Sequence, residues 1–165
     1  MNYEQKYLKY KQKYLSLKKI LMGGACELRD TDCILREMKD NKCDSIECII
    51  EKLKTINNTF GTQIEVISKL PMFVYISEYV KKIIRLDNQC TSDDLCHENI
   101  HEYNHLVTEL QQTVYKYLGS TSEHVSDVSK LLLAIAPNFH LSQKNMPVRS
   151  VDKSHIAARP KKEKE

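Results

Sequence analysis

His97, Glu98 and His101 spell H-E-x-x-H. At that spacing two imidazoles one helical turn apart can hold Zn²⁺ while the glutamate between them activates the metal-bound water. His105, Glu109, Glu123 and His124 follow as candidate third ligands, so a zinc-dependent hydrolase is one reading. Helical geometry argues against it. Leu95, Ile100, Tyr103, Leu106, Val107, Leu110, Val114 and Tyr117 share one face of a helix, and His97, His101 and His105 centre about 170° away from that face. They point to water, whereas a catalytic zinc needs a walled site with an ordered outer shell. His97 and His105 would also lie ~12 Å apart along the axis, too far to share one ion. The charged Asp94 and Glu102 crowd the motif further. The favoured reading is a solvated face, with no catalytic residue and no cofactor; zinc enters only under the hydrolase alternative.

Six cysteines follow: Cys26, Cys33, Cys43, Cys48, Cys90 and Cys96. An even number in one stretch suits a disulfide framework of open connectivity, yet without a secretory signal the default is reduced thiols serving as small core residues. No C-x-x-C occurs, which removes a zinc ribbon and a thioredoxin-like motif. One arrangement bridges Cys26 and Cys33 to Cys90 and Cys96, with Cys43 and Cys48 pairing locally. A bridge across ~60 residues would stabilise by about 4 kcal/mol in the chain-entropy account.

The elements that must position these residues begin with a leader. Tyr3, Tyr7, Tyr10, Tyr14, Leu17 and Leu21 step by fours and threes, the seam of a helix that docks on a partner helix. Lysines fill its other faces, and Gly23-Gly24 stops it. Charge is segregated. Residues 1–21 carry six Lys against Glu4, residues 137–165 seven Lys and Arg against three acids, and the body between them twelve basic against eighteen acidic residues; +5, +4 and −6 sum to the net +3. Basic ends on an acidic body suit a polyanion such as a genome, or the acidic body of a neighbouring copy, and the second is favoured. The longest apolar run, Leu131–Ala136, is six residues, far short of the ~18–20 a membrane span needs. The lysines of the leader interrupt any signal-peptide core, so a cytosolic site of assembly is expected.

Only four Gly and four Pro in 165 residues leave few turns and favour long helices. Helices are predicted over about 32–39, 44–60 (closed by Gly61), 71–86, 93–118 and 120–136. Thr62–Leu70 suits helix or strand and is read as helix. The fold class is all-α. A basic leader, residues 1–24, precedes a bundle of about five helices, residues 25–136, that carries the six cysteines. Residues 137–165 form a basic, disordered tail. Asn57-Asn58-Thr59 is a glycosylation sequon, read as incidental.

The leader, KYLKYKQKYLSLKK at residues 6–19 followed by Gly23-Gly24, resembles the start of many otherwise unrelated proteins of mimivirus-like giant DNA viruses. The likeness covers about the first 24 residues and implies no fold for the rest. It implies a virion protein, or one in the cytoplasm of the infected host cell. Such viruses have SUMO-protease-like cysteine proteases that cut after Gly-Gly, which makes Gly23-Gly24-Ala25 a candidate processing site. They also carry thiol oxidases, which would allow disulfides without secretion.

The expectation is a non-enzymatic structural or interaction protein whose leader docks on a protein partner or on another copy, with no membrane role. Its alternatives are the zinc hydrolase and a host-directed binding module that is not packaged.

Overall fold

The computed structural model describes residues 3–21, 26–40 and 42–145, with side chains from 5–14 in the first of these segments. Among them are nine helices and no strand: α1 Tyr3–Leu21, α2 Thr31–Met38, α3 Ile46–Ile56, α4 Asn58–Ser68, α5 Phe73–Gln89, α6 Asp93–Glu98, α7 Ile100–Leu118, α8 Ser122–Ile135 and α9 Pro137–Asn145. The protein is all-α.

Local chemistry sets four of the helix starts. The Asp30 carboxylate accepts from the Cys33 N–H at 2.9 Å, the Asn57 amide oxygen from Phe60 N–H at 2.8 Å, and the Ser45 and Ser92 hydroxyls from Cys48 N–H and Leu95 N–H at 3.4 Å. Each satisfies an amide that a helix would otherwise leave open. Apolar stripes then bury the helices on one another. α3 buries Ile46, Ile49, Ile50, Leu53 and Ile56, and α8 buries Val128, Leu131, Leu132, Ala134 and Ile135. α8 lies at the centre, touching α2, α3, α4, α5, α7 and α9, while α3 with α4 and α5 with α7 form the closest pairs.

The body holds eight helices among the described residues, in place of about five, because two expected helices divide and α9 follows them. The first breaks at Asn57, which closes α3 in an extended conformation and caps α4. Its amide nitrogen donates to the Cys26 carbonyl at 3.1 Å, so the sequon asparagine is buried and fully engaged. Gly61 is therefore not a helix stop. It lies inside α4 where the backbone of α3 crosses closely, and a Cβ there would sit 2.7 Å from the Lys54 nitrogen. The second division falls at Asn99, between α6 and α7.

The boundary at residue 136 is also corrected. Pro137 suits the first turn of a helix, where its missing N–H costs nothing, and it opens α9 rather than a disordered tail. Phe139 supplies the reason: it is fully buried and stacks on Tyr103 with centroids 4.1 Å apart. The remainder of the expected tail, 146–165, lies outside the described residues, as do Gly23, Gly24 and Ala25.

Candidate functional site

The H-E-x-x-H segment does not lie on one helix. His97 and Glu98 end α6, Asn99 turns with its N–H directed at the His97 and Leu95 carbonyls, and His101 belongs to the first turn of α7. His97, Glu98, His101 and His105 are all exposed. The buried faces of these two helices carry Cys96, Tyr103, Leu106, Leu110 and Val114 instead. Among the described residues no three His, Cys, Asp or Glu side chains are grouped as metal ligands would be. The proposed third ligands Glu123 and His124 begin α8 and line a different feature, described below.

The six cysteines form three pairs, Cys26–Cys33, Cys43–Cys48 and Cys90–Cys96, with Cα atoms 5.7, 5.5 and 4.5 Å apart. The arrangement that bridged Cys26 and Cys33 to Cys90 and Cys96 is not formed. Each pair is local, and each straddles a cap residue: Asp30, Ser45 and Ser92 respectively. The first cysteine lies in the incoming loop and the second in the first turn of the helix, so each bridge fastens a loop to the start of its helix. Side chains then tie two of these loops to the body: the Asn57 amide donates to the Cys26 carbonyl, and the Asn88 amide to the Cys43 carbonyl at 2.7 Å.

Asp87 is the one carboxylate among the buried side chains of the described body. It sits on the apolar face of α5, in step with Val80, Ile83 and Ile84. Its oxygens accept from the backbone N–H of Asn138 at 3.0 Å, from that of Phe139 at 3.1 Å and from the Asn138 amide at 2.9 Å. Burial pushes its pKa up to about 7, against these donors, which favour the charged form. The Tyr103 hydroxyl beside it is pushed up by burial first and by the Asp87 charge second. All of the ligands to Asp87 are protein groups that begin α9, so the carboxylate acts as a cap supplied by another helix.

The open features are a groove and a helix. The groove runs along α4 and α8, with a hollow of about 750 Å³ lined by Val66, Leu70, Met72, Tyr75 and Tyr117 together with the charged Glu123, Asp127 and Lys130. Tyr75 and Tyr117 stack at 4.3 Å and remain 54% and 47% exposed. A second hollow of about 340 Å³, lined by Leu28, Ile34, Phe60 and Leu133, adjoins the first through the shared Gln63 and Lys130. The helix is α1. Every side chain described on it, Gln5 to Tyr14, is exposed, including Tyr7, Tyr10 and Tyr14 of the seam. The side chains of Tyr3, Leu17 and Leu21, the remainder of the seam, lie outside the described residues.

Sequence reasoning turned the histidines to water and offered the Cys43–Cys48 pair, but missed the other two pairs, Asp87 and the groove. Asp87 carried a signal, a carboxylate in register with an apolar stripe. The groove carried none, because its walls come from helices far apart in the chain. No described helix is long and apolar enough to cross a membrane. Comparison of the chain with protein-family models, with curated proteins and with solved structures returns no match.

Proposed function

We propose that this is a non-enzymatic structural or interaction protein of a giant DNA virus, carried in the particle, whose leader docks on protein and whose basic ends meet acidic surfaces or the genome. The observation that supports it best is α1, a lysine-rich helix whose three described seam tyrosines are spread in water. An isolated helix of this length is marginal in water, so a tyrosine ridge on one invites a partner. The exposed histidines, set on either side of a helix break, offer no enclosed cleft in which to activate water. Three local disulfides suit a particle protein oxidised by a viral thiol oxidase, and removal of the leader after Gly24 would follow its use in assembly.

Mass spectrometry of purified particles tests this. Peptides of the body enriched with the particle are the expected result, and a first peptide starting at Ala25 would establish processing. Abundance in infected cells with absence from particles would replace it with the host-directed binding module.

A further inference from the structure

We propose that the groove along α4 and α8 binds helix α1 of a second copy of this chain, an inference that rests on the interaction reading above and names its partner. The contact belongs to the chain before any removal of the leader.

Two unsatisfied features of the chain match. α1 carries Tyr7, Tyr10 and Tyr14 at 58%, 71% and 66% exposure, at the spacing of helix-docking anchors. The groove leaves Val66 58% exposed and ends in the exposed Tyr75–Tyr117 stack, which offers aromatic faces to those rings. Its two hollows are neighbours that share Gln63 and Lys130, so apolar lining continues from one to the next. Charge agrees as well. Lys6, Lys9, Lys11 and Lys13 flank the tyrosines, and the groove lining carries Glu123 and Asp127 against Lys130, which lies 3.7 Å from Asp127, so one acidic charge is left over. The described tyrosines of the chain's own α1 stand in water while its own groove stands open, so a second copy can supply the helix to each groove. Reciprocal exchange closes at two copies.

The test uses the full oxidised chain. Size-exclusion chromatography with light scattering should give twice the 19.2 kDa chain mass. Tyr10→Ser with Tyr14→Ser on the helix, and separately Val66→Lys in the groove, should each weaken association about tenfold or more. Both sites are exposed, so the helical circular dichroism of the body should not change, while the melting temperature should lose its dependence on protein concentration. Glu123→Lys with Asp127→Lys should weaken it too, and Lys6→Glu, Lys9→Glu and Lys13→Glu together should restore it. A photo-crosslinking amino acid in place of Tyr75, in a mixture of light and ¹⁵N-labelled protein, should join light to heavy peptides at residues 5–14. A monomer at every concentration, crosslinks confined to one isotope, or crosslinks that land elsewhere would overturn the proposal. Absence from particles would leave a dimer of this kind standing, so the two readings fail separately.

Discussion

Asp87 near the end of α5 and Asn138 at the start of α9 are joined through both side chain and backbone. The Asn138 N–H and amide donate to the carboxylate at 3.0 and 2.9 Å, and the amide also meets the Asp87 carbonyl at 3.3 Å. The Asn138 amide oxygen in turn accepts from the Asp40 N–H at 3.3 Å, in a turn where Asp40 takes a left-handed φ of 57°. That acceptor role fixes the orientation of the amide, so Asp87 faces donors on every side the structure describes. The Asp87–Asn138 joint thus holds α5, α9 and the turn at Asp40 together, the last through the Asn138 amide oxygen.

The joint should make stability depend on pH with a known sign. Asp87 has its folded pKa raised from 3.8 to about 7, so its contribution is fully present below pH 3.8 and is lost as pH rises through 7. The difference in unfolding free energy between the wild type and Asp87→Asn should therefore shrink across that interval, by at most about 4 kcal/mol. His140, held below its ordinary pKa by burial first and by the Lys144 charge second, acts in the opposite sense, adding stability as pH rises through 6.5. The comparison with Asp87→Asn cancels that effect. Glu65, drawn down to about 2 by Lys69 and Lys54, adds no slope above pH 4.5. Denaturant titrations of both proteins at several pH values check the prediction; a constant difference would remove Asp87 as the cause.

Gly61→Ala should destabilise the fold by about 1–3 kcal/mol although alanine is the better helix former. The new methyl would stand 2.7 Å from the backbone nitrogen and 2.9 Å from the Cα of Lys54, and backbone at a helix crossing has little room to yield. Thermal melting measures the loss. A stabilised variant would mean that α3 and α4 cross at a greater distance.

Phe139→Ala should cost about 3–5 kcal/mol, the usual loss for a fully buried ring, because it removes the stack on Tyr103 and empties the seat of α9. A tail without structure from residue 137 onward would show no such loss. Urea unfolding monitored by circular dichroism distinguishes the two.

Non-reducing peptide mapping should recover Cys26–Cys33, Cys43–Cys48 and Cys90–Cys96 and no other pairing. With five to seven residues separating each pair, closing one loop stabilises by only about 2 kcal/mol in the chain-entropy account, against about 4 for a long-range bridge. Cys90→Ser with Cys96→Ser should therefore leave a folded protein with a lowered melting temperature.

Glu98→Gln should leave hydrolysis of peptide substrates in the presence of zinc unchanged at background, because Glu98 stands exposed beside the break at Asn99. Stoichiometric zinc in the untagged protein, with hydrolysis lost in this variant, would reverse the assignment.

The helical class and the inward stripes were legible because period and capping are local. Ile46, Ile49, Ile50, Leu53 and Ile56 face the core as their spacing dictates. The break at Asn57 was hidden by a stripe that runs on to Phe60 with no proline to interrupt it. What stops α3 there is tertiary: the Asn57 amide reaches back to Cys26. α9 was obscured for the same reason. Pro137, Asn138 and His140 read as a polar tail until Asp87 supplies the cap and Tyr103 the ring that Phe139 covers. The cysteine pairs were closer to legible than they seemed, since each brackets a residue recognisable as a helix start or its neighbour.

The locality of the bridges bears on how the protein is made. Thiols so near in sequence meet at high effective concentration even in an unstructured polypeptide. Oxidation can then proceed segment by segment during synthesis, ahead of any bundle, and the finished crosslinks leave distant parts of the chain untethered to one another. A pulling force would draw the oxidised protein out to nearly its whole contour, giving up only three small knots of slack.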